Sequence, residues 1–434
     1  MHATKNLKTF GDKSALVFLS GSAGELDWIL PVIDSLINNR FEVKIVFLTR
    51  HVRNSVKENK MLEEYISHNE KIELILFGGI LNEVADKISY LLLRLSLKIK
   101  SRKNFHFGGI FNLFDKAFEI LFFSRLPNVV KNLSNKINLV FMEYPGLRRP
   151  RDLWIRNRFG RSLFFYFPHS PHIYTEDIDK TYLENEEIDF SKKQFLLLGH
   201  PGDFHVINDG NELASDSLEK VYIGHPKYSA NWLKGLNDKA QNFRSSKDKR
   251  DKINILVLSR GSGSYLDEEG HSNLVETTVN EVSNIIPNHN ILVKKHPRET
   301  NSHWDKLSNN LSISIVNDHI LKLATESDLV ISYWTSGAMD CFMLGVPVIE
   351  YFDPNRFNKQ QVPDIGGFTT IYRKLGIVIS ANTNLELRHS LLSLKNDSFK
   401  IRNNALHPHY ENLINRSNHW QTKFESILRF NNLN

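Results

Sequence analysis

Residues 291–300 read ILVKKHPRET, a short apolar run that ends in two lysines, a His-Pro pair and an arginine. A run of this length and composition is typical of a buried β-strand. The same order, an apolar run followed by a turn and then a helical pattern, recurs along both halves of the chain. Such alternation predicts βαβ units, and therefore an α/β fold built on parallel sheets.

The chain has 434 residues, which is too long for a single hydrophobic core of ordinary size. Its length therefore favours two domains. A polar stretch at 233–251, LKGLNDKAQNFRSSKDKRD, marks the region between them. We predict an N-terminal Rossmann-like domain over 1–230 and a C-terminal Rossmann-like domain over 231–405. An amphipathic helix within 406–434 is expected to close the chain and pack back on it.

Composition excludes several classes of protein. The hydrophobic share of 41% and the charged share of 24% are those of a globular chain. A net charge of +6 favours anionic ligands such as nucleotides, but it is too small and too dispersed to predict nucleic-acid binding. The one cysteine, Cys341, excludes a disulfide framework and a cysteine-based zinc site, and it fits a reducing compartment.

The turn after the first strand is the first candidate site, because ligands of open parallel sheets bind beyond the carboxyl ends of the strands. It reads SGSAGELDW at 20–28, where Gly21 and Gly24 permit a tight turn. The helix that follows offers backbone N–H groups to an acceptor's anion or hydroxyl, with Glu25 beside them. Neither a Walker loop nor a dinucleotide fingerprint is present. The alternative is a plain turn, with Glu25 as a helix-start charge.

Two later turns of the first half offer a general base. In MEYPGLRRPRD at 142–152, Glu143 ends a strand, and Arg148 leads an arginine cluster suited to a phosphate or an acidic acceptor. Equally, Glu143 simply pairs with one of those arginines. In FPHSPHIY at 167–174, His169 is the first choice of base, because imidazole titrates near the working pH, and Glu143 is the second. No third ligand accompanies His169 and His172, so zinc is not expected.

Three consecutive turns of the second half predict a nucleotide-phosphate site. They are SRGSGSYLDEEG at 259–270, KKHPRE at 294–299 and SYWTSGAMD at 332–340. Together they supply backbone donors, hydroxyls, an imidazole and cations, all groups that bind phosphate. The alternative is three unrelated surface turns. The candidate phosphate-binding residues are Arg260, Gly261, Ser262, Lys295, His296, Arg298, Thr335, Ser336 and Gly337.

KKHPRE, followed by DLVISYWTSGAMDCFMLGVPVIEY, resembles the C-terminal half of GT-B glycosyltransferases that build bacterial surface polysaccharides. That group includes capsule Kdo transferases, polysialyltransferases and CDP-glycerol glycerophosphotransferases, which share a His-Pro motif and a Ser/Thr-rich turn. The resemblance implies two Rossmann-like domains whose parallel sheets face a cleft. It implies phosphate contacts for His296 and for Ser336 or Thr335, and a donor ribose or sugar contact for Glu350. FPHSPH is loosely similar to the turn that supplies the base, which implies that role for His169.

The resemblance further implies an inverting, metal-independent glycosyltransferase without a cofactor, using a CMP-, CDP- or UDP-linked sugar. Its expected partners are that nucleotide-activated sugar and a glycan or lipid-linked acceptor. One alternative is a hydrolysing UDP-GlcNAc 2-epimerase-like enzyme, although the arginine-rich opening loop of that family is not evident. The others are a CDP-glycerol-type glycerophosphotransferase and a non-catalytic nucleotide-binding assembly protein.

A cytoplasmic location is expected, because the longest apolar run, at 88–99, is shorter than the ~20 residues that a spanning helix needs. The surrounding segment 88–126 is both basic and apolar. One interpretation is peripheral contact with the inner membrane face, near a lipid-linked acceptor. The other is a pair of core helices joined by a solvated loop.

Overall fold

The structure is a computed structural model, and it describes fifteen parts of the chain. These are residues 13–76, 84, 88, 136–143, 155–168, 187–200, 218–246, 250–262, 266–296, 299, 303–307, 312–352, 365–366, 369–401 and 406–433. The segment 88–126 therefore lies outside the described residues except for Ile88. Within the described part, no helix is both long enough and apolar enough to cross a bilayer.

The first domain is built on a sheet of seven parallel strands in the order β3-β2-β1-β4-β5-β6-β7. Every residue of β1 and β5 is buried, as expected for strands covered on both faces. The strands are β1 Ser14–Leu19, β2 Glu42–Phe47, β3 Ile72–Leu76, β4 Leu139–Glu143, β5 Leu163–Phe167, β6 Gln194–Leu198 and β7 Leu218–Tyr222. The helices of this domain include α1 Ala23–Asn38, α2 Arg50–Glu58 and α3 Lys60–His68.

A short connection leads from the first sheet to the second. It consists of a 3-10 turn, Pro226–Tyr228, and the helix α4, Ala230–Ser245. Leu233 of α4 and Tyr228 of the turn are buried in the core of the second domain. The connection is therefore packed against the domain that it introduces.

The second domain contains six parallel strands in the order β10-β9-β8-β11-β12-β15, and a two-stranded hairpin of β13 and β14. The strands are β8 Ile253–Leu258, β9 His289–Lys294, β10 Ile313–Ile315, β11 Leu329–Ser332, β12 Val348–Tyr351, β13 Ile365–Gly366, β14 Thr369–Thr370 and β15 Ile379–Ala381. The helices are α5 Glu268–Ile285, α6 His303–Leu307, α7 Ile320–Thr325, α8 Gly337–Met343, α9 Ile371–Lys374, α10 Asn384–Asn396 and α11 Pro408–Phe430. The predicted α/β architecture of two parallel-sheet domains is confirmed.

The last helix, α11, joins the two domains. Tyr410 and Leu413 of its first half belong to the core of the second domain. Trp420 and Phe424 of its second half are buried in the core of the first, where Phe424 lies against the ring of Phe165. The helix thus packs back on the N-terminal domain, as the amphipathic pattern predicted.

Gly224 provides a test of how closely α11 packs against the connection. Its φ is +74°, and a Cβ there would lie 2.3 Å from the backbone nitrogen of Ser417 in α11. We expect Gly224→Ala to lower the free energy of unfolding by more than about 1 kcal/mol, because the left-handed backbone alone costs about 1–2 kcal/mol. Urea unfolding would measure the change.

The matched control is Gly235→Ala in α4, where a Cβ meets nothing within 4 Å. Alanine is the better helix former, so this variant should gain about 0.5–1 kcal/mol. Opposite signs for the two variants are expected. A Gly224→Ala protein as stable as the wild type would show that α11 does not approach the connection as described.

Candidate functional site

Each sheet has one place where the strand order reverses, between β1 and β4 in the first and between β8 and β11 in the second. The carboxyl ends of two such strands border a crevice where ligands of this fold class bind. A contact links these ends of the two sheets, because Asp27 in α1 lies 2.8 Å from Nε2 of His319, in the loop after β10. The two crevices therefore belong to one interdomain region.

The first crevice contains a pair of carboxyl groups, Glu25 and Glu143. Glu143 is the last residue of β4, and its Oε2 lies 3.5 Å from Oγ of Ser20 at the end of β1. A Cβ on Gly21 would lie 3.4 Å from Glu143 Oε2 and 2.4 Å from Glu25 Oε1. Only glycine at this position lets the two carboxyl groups approach the turn so closely. The two carboxyl groups are close enough for the charge of Glu143 to act on Glu25.

The environment of this pair favours retention of a proton. Burial raises the pKa of Glu25 well above its ordinary value, and the charge of Glu143 raises it further. Backbone N–H groups of Ser20 and Ser22 act in the opposite direction, because they stabilise the ionised form. Two carboxyl groups this close titrate as a unit. Such a pair can accept a proton from a substrate while its protonated member donates a hydrogen bond.

The backbone donors at the start of α1 are used within the protein. Glu25 accepts hydrogen bonds from the N–H groups of Ser20 at 2.7 Å, of Ser22 at 3.0 Å, and of Gly21. The N–H of Gly24 donates to Oγ of Ser22, the N-cap of the helix. This capping box explains why the helix begins here. Glu25 is fully buried, so the carboxyl group that a ligand in this crevice can reach is that of Glu143, which is partly exposed.

In the second crevice, the buried carboxylate of Glu299 joins the loops after β8 and β9. It accepts hydrogen bonds from Oγ of Ser259 at 3.1 Å and from the N–H of His296 at 3.3 Å. A Cβ on Gly261 would lie 2.4 Å from Glu299 Cγ, so glycine is required for this contact. Arg260, Gly261, Ser262, Lys295 and His296 all lie partly exposed on these two loops.

Sequence reasoning did not assign a role to Glu299, although the residue belongs to the KKHPRE stretch. The sequence does contain one local indication of this role, because Glu299 follows His296 by three residues and its carboxylate can cap the turn that begins at His296. The backbone confirms such a turn, because the N–H of Glu299 donates to the carbonyl of His296 at 2.8 Å. The partner loop at Ser259 is distant in sequence and carries no comparable signal.

Arg260 connects the loop after β8 to the loop after β11. Its Nη1 donates to the carbonyl oxygen of Trp334 at 2.8 Å, and its guanidinium lies 4.3 Å from the centre of the Trp334 ring. Trp334 has a φ of +57°, a conformation that tightens this turn before α8. A Cβ on Gly337, the first residue of α8, would lie 2.7 Å from Ile320 Cδ1. The three predicted phosphate loops therefore meet at one edge of the sheet.

The polar side chains of these loops differ in their surroundings. Lys295 forms an ion pair with Asp305 at 2.8 Å. Thr335 is half-buried, and its N–H donates to Oγ of Ser332 at 3.3 Å. Ser336, the N-cap of α8, is exposed. Lys295 would have to leave Asp305 to reach a phosphate, whereas Ser336 is accessible as it stands.

Glu350 at the end of β12 is fully buried. Its Oε2 accepts hydrogen bonds from Thr370 Oγ1 and Arg373 Nε, each at 2.7 Å. The guanidinium of Arg373 also donates to the carbonyl of Phe352. The ion pair thus holds the end of β12 against α9, a connection that the sequence did not reveal. The donor ribose or sugar contact of Glu350 stays a prediction.

Three of the predicted residues, His169, Arg148 and Arg298, lie outside the described residues. Among the residues that the structure does describe, Glu143 is the candidate base located at a crevice. Over the same part of the chain, no group of three or more histidine, cysteine or acidic side chains is arranged to hold a metal ion.

No protein-family model matches this chain, and no curated protein matches it in sequence. Solved structures do match its fold. UDP-GlcNAc 2-epimerase from Methanocaldococcus jannaschii is 13% identical with a TM-score of 0.53, over 96% of this chain and 99% of its own. MnaA from S. aureus, in a structure with UDP, is 11% identical with a TM-score of 0.51, over 97% and 98% of the two chains.

The wall teichoic acid polymerase TagF, in a structure with CDPG, has a TM-score of 0.50 at 10% identity. The match covers 97% of this chain and 90% of that one. These similarities show the fold, which is GT-B: two Rossmann-like domains with a parallel sheet in each. At 10–13% identity, they do not extend to the His-Pro group of transferases.

The carboxyl pair is expected to affect how the stability of the protein depends on pH. Because folding raises the pKa of Glu25, protonation of this residue stabilises the folded protein. This contribution to the free energy of unfolding is complete below the ordinary pKa of 4.5, and it is lost as the pH rises through the raised pKa. Glu143→Gln removes one cause of the raised pKa of Glu25, so the variant should lose less stability than the wild type as the pH rises. Between about pH 5 and pH 8, the difference in free energy of unfolding between the variant and the wild type should therefore shift in favour of the variant. The shift should be about 1.4 kcal/mol for each pKa unit by which Glu143 raises the pKa of Glu25.

Urea unfolding at both pH values measures this gain. The control is Glu70→Gln, the same chemical change at an exposed position of the first domain. That variant should follow the pH dependence of the wild type. A Glu143→Gln protein that behaves like the control would mean that the two carboxyl groups do not interact.

Proposed function

We propose that this chain is an inverting glycosyltransferase that moves a sugar from a CMP-, CDP- or UDP-linked donor to a hydroxyl group of a glycan or lipid-linked acceptor. The reaction would contribute to a bacterial surface polysaccharide, as the resemblance to the His-Pro group suggests. The observation that carries the proposal is the meeting of three polar loops in the crevice between β8 and β11. The fold neighbours add support, because their structures contain UDP-GlcNAc, UDP or CDPG.

The donor phosphate is assigned to the second crevice. The guanidinium of Arg260 and the imidazole of His296 lie on adjacent loops, and Ser336 lies exposed on the third. Cationic and hydroxyl groups fixed in this way stabilise the negative charge that develops on the departing nucleotide. Because Glu299 and the carbonyl of Trp334 hold the loops in place, little reorganisation is needed when that charge appears. The proposed mechanism needs no metal, since these side chains supply the positive charge.

The general base is assigned to the first crevice, where Glu143 is the candidate that lies among the residues described by the structure. Its carboxylate takes the proton of the acceptor hydroxyl as the hydroxyl oxygen attacks the anomeric carbon. The new glycosidic bond forms on the face opposite the nucleotide, and the bond to the nucleotide phosphate breaks with both electrons on the phosphate oxygen. Glu25 shares the proton with Glu143, which keeps the pair from carrying two negative charges. His169 stays the other candidate for this role.

A second function, that of a UDP-GlcNAc 2-epimerase-like enzyme, is favoured by the fold match to the Methanocaldococcus jannaschii enzyme. A carboxyl pair would also suit removal of a proton from the sugar ring. Incubation with UDP-GlcNAc and no acceptor distinguishes the two, since release of N-acetylmannosamine identifies the epimerase and overturns the transferase. A CDP-glycerol-type glycerophosphotransferase would be identified by the release of CMP from CDP-glycerol.

Nucleotide binding tests the donor site directly. One of CMP, CDP, UDP and GDP, at a hundred times its Kd, should stabilise the protein by about 2.7 kcal/mol in a thermal unfolding series. Arg260→Ala should weaken that nucleotide about 10- to 100-fold, because a hydrogen bond to a charged group contributes about 1.5–3 kcal/mol. Isothermal titration would measure both Kd values.

Arg388→Ala is the matched control, because Arg388 lies exposed on α10 of the same domain. It should bind the nucleotide as the wild type does. Equal weakening by both variants would point to general electrostatic attraction, and the absence of any stabilising nucleotide would overturn the donor site altogether.

A further inference from the structure

Lys227 lies in the 3-10 turn between the domains, with only 8% of its side chain exposed. Its ammonium nitrogen is 2.9 Å from Oδ2 of Asp27 in the first domain and 2.8 Å from Oδ1 of Asp340 in the second. One buried cation therefore contacts a carboxylate from each domain. The ammonium nitrogen also lies 5.0 Å from the centre of the Tyr228 ring.

A histidine of the second domain completes this buried cluster. Nε2 of His319 lies 2.8 Å from Oδ1 of Asp27, and Nδ1 of His319 accepts the N–H of Leu321 at 3.2 Å. Because Nδ1 acts as an acceptor, the ring hydrogen is on Nε2 and is donated to Asp27. Both oxygens of Asp27 are thus bound, one by the connection and the other by the second domain.

Asp27 and Lys227 of this cluster stay ionised over a wide pH range, because the pKa of Asp27 is lowered and that of Lys227 is raised. Burial alone would raise the pKa of Asp27, but Lys227 and His319 hold it below its ordinary value. Burial would likewise lower the pKa of Lys227, and Asp27 and Asp340 raise it well above the usual range. Attraction between such groups is largely offset by their desolvation, so their main effect is on geometry rather than on net stability.

The two carboxylates belong to the two helices that begin at the crevices. Asp27 is in the second turn of α1, two residues after Glu25 of the carboxyl pair. Asp340 is in the first turn of α8, which directly follows Thr335 and Ser336. A single ammonium group is accordingly within hydrogen-bond distance of both helices. These two contacts therefore link the helix that carries Glu25 to the helix that follows the third donor loop.

We propose that Lys227 is a positioning residue that sets the distance between the carboxyl pair and the donor-phosphate loops by binding Asp27 and Asp340 at once. The inference rests on the proposed function for its catalytic consequence. Lys227 itself contacts neither the donor nor the acceptor. Its loss should impair turnover far more than nucleotide binding, because Glu299 and Arg260 hold the phosphate loops independently of it.

Lys227→Met is the test, with the nucleotide that stabilises the wild type as the probe. Its Kd should change less than about 3-fold, whereas the release of nucleotide from its sugar conjugate at saturation should fall about 10- to 100-fold, as expected when reacting groups are misplaced. Lys322→Met is the control, because Lys322 forms an exposed ion pair with Asp318 in the second domain. It should match the wild type in both measurements.

A distance measurement separates this inference from the proposed function. Spin labels at Ser67→Cys and Leu392→Cys, both exposed and in different domains, report the interdomain distance, and the buried Cys341 resists labelling. Lys227→Met should broaden the distance distribution. An unchanged distribution together with unchanged turnover overturns the inference. A wild-type protein that releases no nucleotide overturns the proposed function alone, and the distances still decide the role of Lys227.

A second variant keeps the test decisive if Lys227→Met does not fold. Asp340→Asn preserves the shape of the side chain and leaves Lys227 paired with Asp27, so only the link to α8 is weakened. The same broadening and the same loss of turnover at near-normal nucleotide affinity are expected. Wild-type behaviour of a folded Asp340→Asn protein would overturn the inference.

Discussion

The constraint on which this structure depends is the parallel pairing of its strands. A parallel strand must be followed by a crossover, so every strand of a sheet ends at the same edge. In both domains the strand order reverses once, and ligands of open α/β sheets bind at such a point, outside the carboxyl ends of the strands. The chemically useful side chains therefore gather at two crevices, and the contact between Asp27 and His319 brings these ends of the two sheets together.

The sequence predicted those parts of the structure that have local signals. Strand periodicity and turn composition were enough to locate the loops of Arg260, His296 and Ser336, since each follows a recognisable buried strand. Glu299 was missed because its partner Ser259 lies 40 positions away. The link from Asp27 to Lys227 spans 200 positions. Sequence shows which residues are charged, but the partner of a buried charge is decided by tertiary packing.

The two crevices differ in charge in a way that suits group transfer. The first contains the carboxyl pair, of which Glu143 is partly exposed, whereas the second presents a guanidinium and an imidazole on loops held by a buried carboxylate. A nucleophilic hydroxyl needs an acceptor for its proton, and a departing phosphate needs positive charge. Attraction at the second crevice and repulsion at the first would both direct an anionic donor to the C-terminal domain. The charge pattern thus supports one orientation of the donor across the cleft.

The start of α1 holds two carboxyl groups whose pKa values move in opposite directions. Burial and Glu143 push the pKa of Glu25 up, whereas Lys227 and His319 hold that of Asp27 down. Environments that separate the pKa values of neighbouring acids commonly assign them different tasks. Glu25 is suited to proton sharing in the crevice, and Asp27 to a permanent charge that binds the other domain. Because both lie on one rigid helix, the position of the proton-sharing pair is tied to the contact between the domains.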